Sequence, residues 1–414
     1  MPELPTQRSA HRGGEPHGGL TVLHLAQPVE GGVARVVADL ARAQVEAGLH
    51  VVVGCPAGGE LADAAAAAGA RILHWPAVRE PGARTAREVY GVQRLLHTVR
   101  PDLVHAHSAK AGLAARLAVR GRVPTVYQPH AWSFEAATGR TARLARAWER
   151  YAARWADRVL CVSEAERETG AAVGIEARWA VVHNGVDTAR FTAAAASRAG
   201  REPAPRPEPR APELAAVAEL PPSAVLVVCV GRLCEQKGQR TLLHAWPQVA
   251  ALVPDARLVL VGDGPDREEL RRAAPEGVVF AGASGAVADW YAAADLVVLP
   301  SLWEGMALTP LEAMACRRPV LVSDVAGSRE LLPPGQQADC LVPPADPEAL
   351  AQAVARLALA PRLRAELADT AHAHVRTRFD ITTTTTAVLE LYRDVLRHRT
   401  ATAAVPTAEG AGSR

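Results

Sequence analysis

The sequence predicts an α/β protein of two doubly wound domains facing a central cleft, and three observations carry that prediction. Short Val/Leu-rich runs alternate with amphipathic helical patterns, and runs that are apolar throughout are strands buried on both faces, as in parallel sheets. The alternation stops between about residues 195 and 222, a stretch crowded with Pro, Arg and Glu, and then restarts. The length of 414 residues calls for two or three domains, at about 100–200 residues each. Open α/β sheets bind ligands beyond the carboxyl ends of their strands. The loops that follow each strand are therefore where chemistry is sought.

In the first half, strands are expected at Leu20–Ala26, His50–Cys55, Arg71–Trp75, Leu103–His105, Thr125–Gln128, Arg158–Val162 and Ala180–His183. The second half repeats the pattern at Val225–Val230, Arg257–Val261, Val278–Phe280, Leu296–Leu299 and Val320–Val322. The boundaries that follow are an N-terminal domain over 18–195, a Pro-rich linker over 196–222 and a C-terminal domain over 223–380. A last helix over 381–398, in a position to return to the first domain, carries the threonine run 382–386 despite its weak helix propensity. Residues 400–414 read as a disordered tail.

Composition excludes several classes. With 49% apolar and 22% charged residues the chain can bury a core. Forty-six basic against 44 acidic residues leave a net charge of +2, without the positive field that non-specific nucleic-acid binding needs. The six cysteines form no C-x-x-C pair and read as buried reduced thiols. The polar N-terminus has no apolar signal-peptide core, and the longest apolar runs, such as Ala224–Val230, fall far short of the ~20 residues that span a bilayer. A cytoplasmic protein is expected, soluble or peripheral on the inner face of the plasma membrane. Only Lys110 and Lys237 are lysines and Asn184 is the single asparagine in an Ala/Arg-rich chain, which marks these positions for scrutiny.

Four stretches carry candidate chemistry. Gly31-Gly32 follows the first strand and opens an amphipathic helix, where free N–H groups and the helix dipole favour a phosphate; a plain strand-to-helix turn reads the same way. Gly262-Asp-Gly264-Pro-Asp-Arg267 begins like a dinucleotide fingerprint, but Arg267 stands in the third glycine's place and no acidic residue ends a strand about twenty residues on. Gly231-Arg232-Leu-Cys-Glu-Gln-Lys237-Gly238 offers a guanidinium and an ammonium at a strand's end, suited to a diphosphate unless both are ordinary surface charges. In Pro300-Ser301-Leu-Trp-Glu304-Gly305-Met-Ala-Leu-Thr309-Pro310-Leu-Glu312, Thr309 and Glu312 spell a capping box, whereas Glu304 has no such structural duty. Eight steps separate the two carboxylates, ~12 Å if helical and up to ~26 Å if extended, which lets one reach a sugar and the other a ribose across a diphosphate. His105-x-His107 could in isolation be half a metal site, but no third ligand is expected to cluster nearby, so no metal is assigned.

This motif set resembles that of the retaining, family-four glycosyltransferases of GT-B fold, of the bacterial exopolysaccharide and lipid-linked saccharide type. The resemblance covers about residues 20–398. It rests on G-R-x4-K-G and P-S-x2-E-x7-E, and on His105-x-His107-Ser108-x-Lys110-Ala-Gly112, His130-Ala-Trp132-Ser-Phe134, Val162-Ser163-Glu164 and Asn184-Gly185-Val186-Asp187. It implies a metal-independent hexosyltransferase with an acceptor-side N-terminal domain and a nucleotide-sugar-binding C-terminal domain, using no cofactor and a donor that is UDP-linked. A saccharide or polyprenyl-linked saccharide would be the acceptor. Glu304 and His130 would meet the donor sugar, Glu312 the ribose, and Arg232 and Lys237 the diphosphate. Gly31, Gly32, Ser108, Lys110, Asn184, Gly231, Gly262, Gly305, Met306, Ala307 and Leu308 would complete the substrate site, with no metal. Alternatives are an epimerase or phosphorylase of the same fold, or a non-catalytic sugar-nucleotide-binding protein. The chain departs from the family at Ala131, Met306-Ala307 and Arg317, where Gly, Phe-Gly and Gly are usual. Finally, Leu144, Trp148, Tyr151 and Trp155 form a helical stripe beside Arg143, Arg146, Arg150, Arg154 and Arg158. That stripe is expected to pack on the first sheet with the arginines in water; resting on anionic lipid is the alternative.

Overall fold

The computed structural model describes residues 19–79, 82–196 and 224–404. The linker expected from 196 lies outside these residues beyond Ala196, and so does the tail beyond 404. The first half runs β1 (Thr21–Ala26), α1 (Gly31–Glu46), β2 (His50–Cys55), α2 (Glu60–Ala67), β3 (Arg71–His74), α3 (Thr85–Val99), β4 (Leu103–His107), α4 (Ser108–Val119), β5 (Thr125–Gln128), α5 (Gly139–Ala152), β6 (Arg158–Cys161), α6 (Glu164–Ala172), β7 (Trp179–Val181) and α7 (Thr188–Ala196). The second half runs β8 (Leu226–Val230), α8 (Gln239–Leu252), β9 (Arg257–Val261), α9 (Arg267–Ala273), β10 (Val278–Gly282), α10 (Val287–Ala293), β11 (Leu296–Leu299), α11 (Leu308–Ala315), β12 (Val320–Ser323), α12 (Ser328–Leu331), α13 (Gln337–Cys340), β13 (Leu341–Val342), α14 (Pro347–Leu359), α15 (Pro361–Arg378) and α16 (Ile381–Ala404).

The strands form two parallel sheets, ordered β3-β2-β1-β4-β5-β6-β7 and β10-β9-β8-β11-β12-β13. Each order reverses once, between β1 and β4 and between β8 and β11, which leaves a crevice at the carboxyl ends of those pairs. Both Rossmann-like layers were legible in the apolar runs because β4, β8 and β11 are buried at every position. β13, two residues long, is too short to show any periodicity.

One contiguous apolar core includes side chains of both sheets. α1 turns Ala34, Val37, Leu40, Ala41 and Gln44 inward. The chain crosses back to the first lobe at Phe379–Ile381, where Val186 exchanges backbone hydrogen bonds with Phe379 and Ile381. From there α16 runs along the first lobe, its Asp394 pairing with Arg158 and its Arg399 with Asp157. The helix continues to Ala404, so the tail expected from residue 400 is helical over its first residues. Its threonines are accommodated by local bonding: Thr384 donates to the His183 carbonyl and Thr385 to the Ile381 carbonyl.

Candidate functional site

The two crevices face each other. A Cβ added to Gly32, just after β1, would lie 3.9 Å from Leu308 at the start of α11. One turn further along α1, Arg35 Nη1 sits 2.5 Å from Glu312 Oε1 of α11. Gly31 holds φ +78 with open space where a Cβ would be. Gly31 therefore makes the helix entrance open and left-handed, while Gly32 lies at ordinary contact distance from the second lobe.

In the second lobe glycine lets three loops touch. A Cβ on Gly262 (φ +139) would fall 2.0 Å from the Gly231 carbonyl oxygen, and one on Gly238 (φ +65) 1.9 Å from that of Pro300. The second contact seats Lys237 beside the loop after β11. There Lys237 Nζ is 2.5 Å from Glu304 Oε1, which also accepts from Ser301 Oγ at 2.8 Å. Arg232 is exposed and has no ion-pair partner among the described residues. The predicted cation pair is thus divided: one neutralises Glu304 and the other is free for an anion. Met306, Ala307 and Leu308 bury their side chains, so only their backbone can meet a ligand.

The capping box is not formed. α11 starts at Leu308, before the expected cap, and Thr309 instead donates its hydroxyl to the Val230 carbonyl at 3.2 Å. The carboxylate of Glu312 is turned into the lobe junction, where Tyr291 OH donates to Oε2 at 2.6 Å and Arg35 holds Oε1. Glu312 raises the Arg35 pKa, and burial raises that of Tyr291 well above its ordinary value.

Two residues marked by their rarity are engaged structurally. Lys110 pairs with Glu88 of α3 at 2.6 Å, both side chains almost fully buried, rather than lining the cleft. Asn184 donates Nδ2 to the Met306 carbonyl at 2.8 Å and ties the lobes together. A Lys or Asn that survives a compositional drift can be retained by a buried contact as readily as by a ligand. Ser108 opens α4 at φ +71, half-buried beside His107.

His130 and Glu304 are brought together through their neighbours. A Cβ on Gly305 would sit 2.9 Å from the Ala131 amide nitrogen. His130 (φ +55) and Ala131 (φ +90) form a left-handed turn, held by Glu166, which accepts from Ala131 N at 2.5 Å and Val162 N at 2.7 Å. Burial pushes the Glu166 carboxyl up to about 7 against the pull of those two N–H groups. Ser163 caps α6 and donates Oγ to the Gly305 carbonyl at 2.9 Å. Glu330 of α12 accepts from the amides of Glu164 and Ala165 at the same helix start. Of the chain's departures from the family pattern, Ala131 and Arg317 (φ +55) occupy left-handed backbone, where glycine carries no steric cost.

The absence of a third imidazole near His105-x-His107 is corrected. Parallel pairing sets His24 of β1 level with His105 of β4, and ring nitrogens of His24, His105 and His107 lie within 4.8 Å of one another. His24 Nδ1 is 2.9 Å from His107 Nε2, His24 Nε2 2.8 Å from Gln44 Oε1, and His107 Nδ1 3.1 Å from His130 Nε2. The Tyr392 hydroxyl is 2.6 Å from His105 Nδ1. The rings form a hydrogen-bonded stack. Burial holds the pKa of His24 down at about 4 and that of His130 at about 3, so the imidazoles are neutral near pH 7. His24 was visible as a polar residue in an otherwise apolar strand. Arg35 was visible as a charge one turn beyond Gly31-Gly32. Gln44, Tyr291 and Tyr392 left no local signal.

Two facing Rossmann-like lobes with the bridging last helix define the GT-B architecture. Residues 30–190 match the family model described as Glycosyltransferase Family 4, and residues 224–359 the one described as Glycosyl transferases group 1. A D-inositol 3-phosphate glycosyltransferase of Saccharomonospora viridis is 30% identical over 322 residues, covering 71% of this chain and 70% of that protein. A UDP-Gal:alpha-D-GlcNAc-diphosphoundecaprenol alpha-1,3-galactosyltransferase of Escherichia coli is 28% identical over 263 residues, 59% of this chain and 64% of that protein's length. The solved structure of Anabaena Alr3699/HepE in complex with UDP-glucose superposes with a TM-score of 0.74 at 24% identity, covering 91% of this chain and all (100%) of that one. This last likeness concerns the fold. The chain belongs to glycosyltransferase family 4.

Proposed function

We propose that the protein transfers a hexose from a nucleotide diphosphate sugar, UDP-linked, to a hydroxyl of a saccharide or lipid-linked saccharide, with retention at the anomeric carbon. The observation that carries this reading is the Arg35–Glu312 pair across the lobe junction beside the open helix entrance at Gly31-Gly32, with the Lys237–Glu304 pair and an exposed Arg232 on strand-end loops of the second lobe. The donor assignment draws on the UDP-glucose of the Anabaena protein, and the acceptor class on the diphosphoundecaprenol-linked acceptor of the Escherichia coli relative.

In this reading the diphosphate binds between Arg232, Lys237, the helix entrance at Gly31-Gly32 and the backbone of Met306–Leu308. Glu312, oriented by Arg35 and Tyr291, takes the ribose hydroxyls; Glu304 and His130 hold the sugar. Charge gathered on the leaving diphosphate is stabilised by cations and N–H groups already in place, which is electrostatic catalysis without reorganisation. Attack on the face that the diphosphate vacates, with a phosphate oxygen taking the acceptor proton, retains configuration without a protein nucleophile. No divalent ion is needed in this scheme. The chain acts in the cytoplasm, resting on the inner membrane face through α5. No helix among the described residues is long and apolar enough to cross a membrane.

Incubating the protein with UDP-glucose, UDP-galactose and GDP-mannose, with and without lipid-linked saccharide, tests the reading. Acceptor-dependent release of nucleotide diphosphate is expected, and Arg232→Ala should cut turnover ~10²–10³-fold. Acceptor-independent interconversion of the donor would favour the epimerase, and binding without turnover the non-catalytic reading.

A further inference from the structure

We propose that Gln44, a residue of α1 separated from His130 by two imidazoles, is a positioning residue: acting through His24 and His107 in series, it determines which ring nitrogen of His130 carries the proton. The proposal rests on the reading of His130 as a sugar-facing group for its catalytic consequence, but not for its structural content.

The argument is one of donors and acceptors. Gln44 directs its amide nitrogen at the Tyr392 hydroxyl, 3.3 Å away, and its oxygen at His24 Nε2. With the Tyr392 hydroxyl donating in turn to His105 Nδ1, 2.6 Å away, this orientation of the amide satisfies both neighbours. An amide oxygen only accepts, so His24 carries its proton on Nε2. A neutral imidazole then has a bare Nδ1, and the ring facing it, His107 at 2.9 Å, must donate from Nε2. The same step repeats at 3.1 Å, leaving His107 Nδ1 bare and His130 Nε2 protonated. His130 is left with a bare Nδ1, an acceptor for a hydroxyl hydrogen.

Burial keeps solvent out of the series. His24, Gln44 and His107 are fully buried, so no water competes for their ring nitrogens, and the buried Gln128 side chain also bonds His107. Burial also keeps His24, His107 and His130 below their ordinary pKa, hence neutral, and only neutral rings transmit a choice of tautomer. Gln44 has no proton to lose, so the series ends there; it orients and does not conduct. Because Tyr392 belongs to α16, the last helix reaches His130 through the same network.

Ring-nitrogen NMR of the 15N-labelled full-length protein, recorded without substrate, tests this. Wild type should show His130 with N–H at Nε2 and a bare Nδ1. Gln44→Met removes the acceptor and should give His130 a mixture of tautomers. Gln44→Glu places a carboxylate against His24, which favours the imidazolium; both its nitrogens then donate, and the tautomer of His130 should invert. Should Gln44→Met fail to fold, Gln44→Glu carries the test. A His130 spectrum unchanged in a folded variant overturns the proposal, as does wild-type His130 with its proton on Nδ1. Stoichiometric zinc bound by His24, His105 and His107 overturns it too, since a coordinating nitrogen cannot serve in the series. Turnover of Gln44→Met should fall in kcat rather than rise in KM, by up to the ~10⁴-fold cost of a wrong tautomer in a catalytic triad. Full turnover with a scrambled tautomer would reject the role of His130 and leave the positioning intact.

Discussion

Arg35 and Glu312, 277 positions apart, form an ion pair across the lobe junction at 2.5 Å, with the Glu312 side chain 2% exposed and that of Arg35 31%. The pair joins the helix after β1 to the helix after β11 and holds the Glu312 carboxylate in place at the lobe junction.

Removing Arg35 should therefore hurt twice. Arg35→Ala leaves Glu312 buried with only Tyr291 as a partner, at a cost of about 3 kcal/mol of stability by analogy with other broken buried pairs. Nucleotide affinity should fall with it. Calorimetry and UDP titration on the same preparation check this, and a variant as stable and as tightly binding as wild type would show that the pair is incidental.

Ala131 at φ +90 stands where a side chain is strained. Ala131→Gly should raise stability by about 1 kcal/mol, the left-handed strain relieved exceeding the entropy cost of glycine. The denaturation midpoint should move up at unchanged m-value. A lower midpoint would mean that the Glu166 hydrogen bond already offsets the strain.

The buried histidines make the fold acid-sensitive. Their folded pKa values are depressed, to about 4 for His24 and about 3 for His130, so below pH 6.5 the unfolded chain takes up protons that the folded one refuses. Stability is full above the unfolded value and is lost as pH falls towards 4, by on the order of 2 kcal/mol per histidine between pH 7 and 5. Glu166, raised to about 7, works the other way and favours the fold at lower pH. His105 and His107, also held well below 6.5, add to the larger side. Denaturant midpoints between pH 7.5 and 5 should therefore drop, and a flat profile would contradict neutral burial.

If fixed cations carry the leaving-group charge, EDTA should leave the initial transfer rate within about a factor of two, whereas losing a Lewis acid would cost far more. A collapse restored by Mg²⁺ would overturn this account of the diphosphate.

Along α5 and the short turn that follows it, the apolar stripe does not pack as expected. Leu144 is 72% and Tyr151 48% exposed beside exposed Arg143, Arg150 and Arg154, while Trp148 and Trp155 are half-buried. Leu144→Asp with Tyr151→Ser should weaken binding to anionic vesicles and spare activity on a soluble acceptor. Wild type that ignores such vesicles would remove the membrane role.

The sequence by itself determined the two parallel sheets and the strand-end loops on which Glu304, Arg232 and Lys237 lie, because apolar runs and glycine-rich turns are local signals. It also marked the positions of Ala131 and Arg317 through the resemblance, without the positive φ that makes them matter. Partnerships were decided only by the fold. Glu312 spelled a cap by its spacing, yet its helix begins one residue before Thr309 and its carboxylate turns to Arg35. Lys110 and Asn184 were marked by rarity, and packing gave them Glu88 and the Met306 carbonyl. His24 and His105 lie 81 positions apart and meet because β1 pairs with β4, while Tyr392 arrives on a helix that returns from the other lobe. Side-chain partners depend on strand order and on how the lobes dock, and neither is encoded in any short window of the chain.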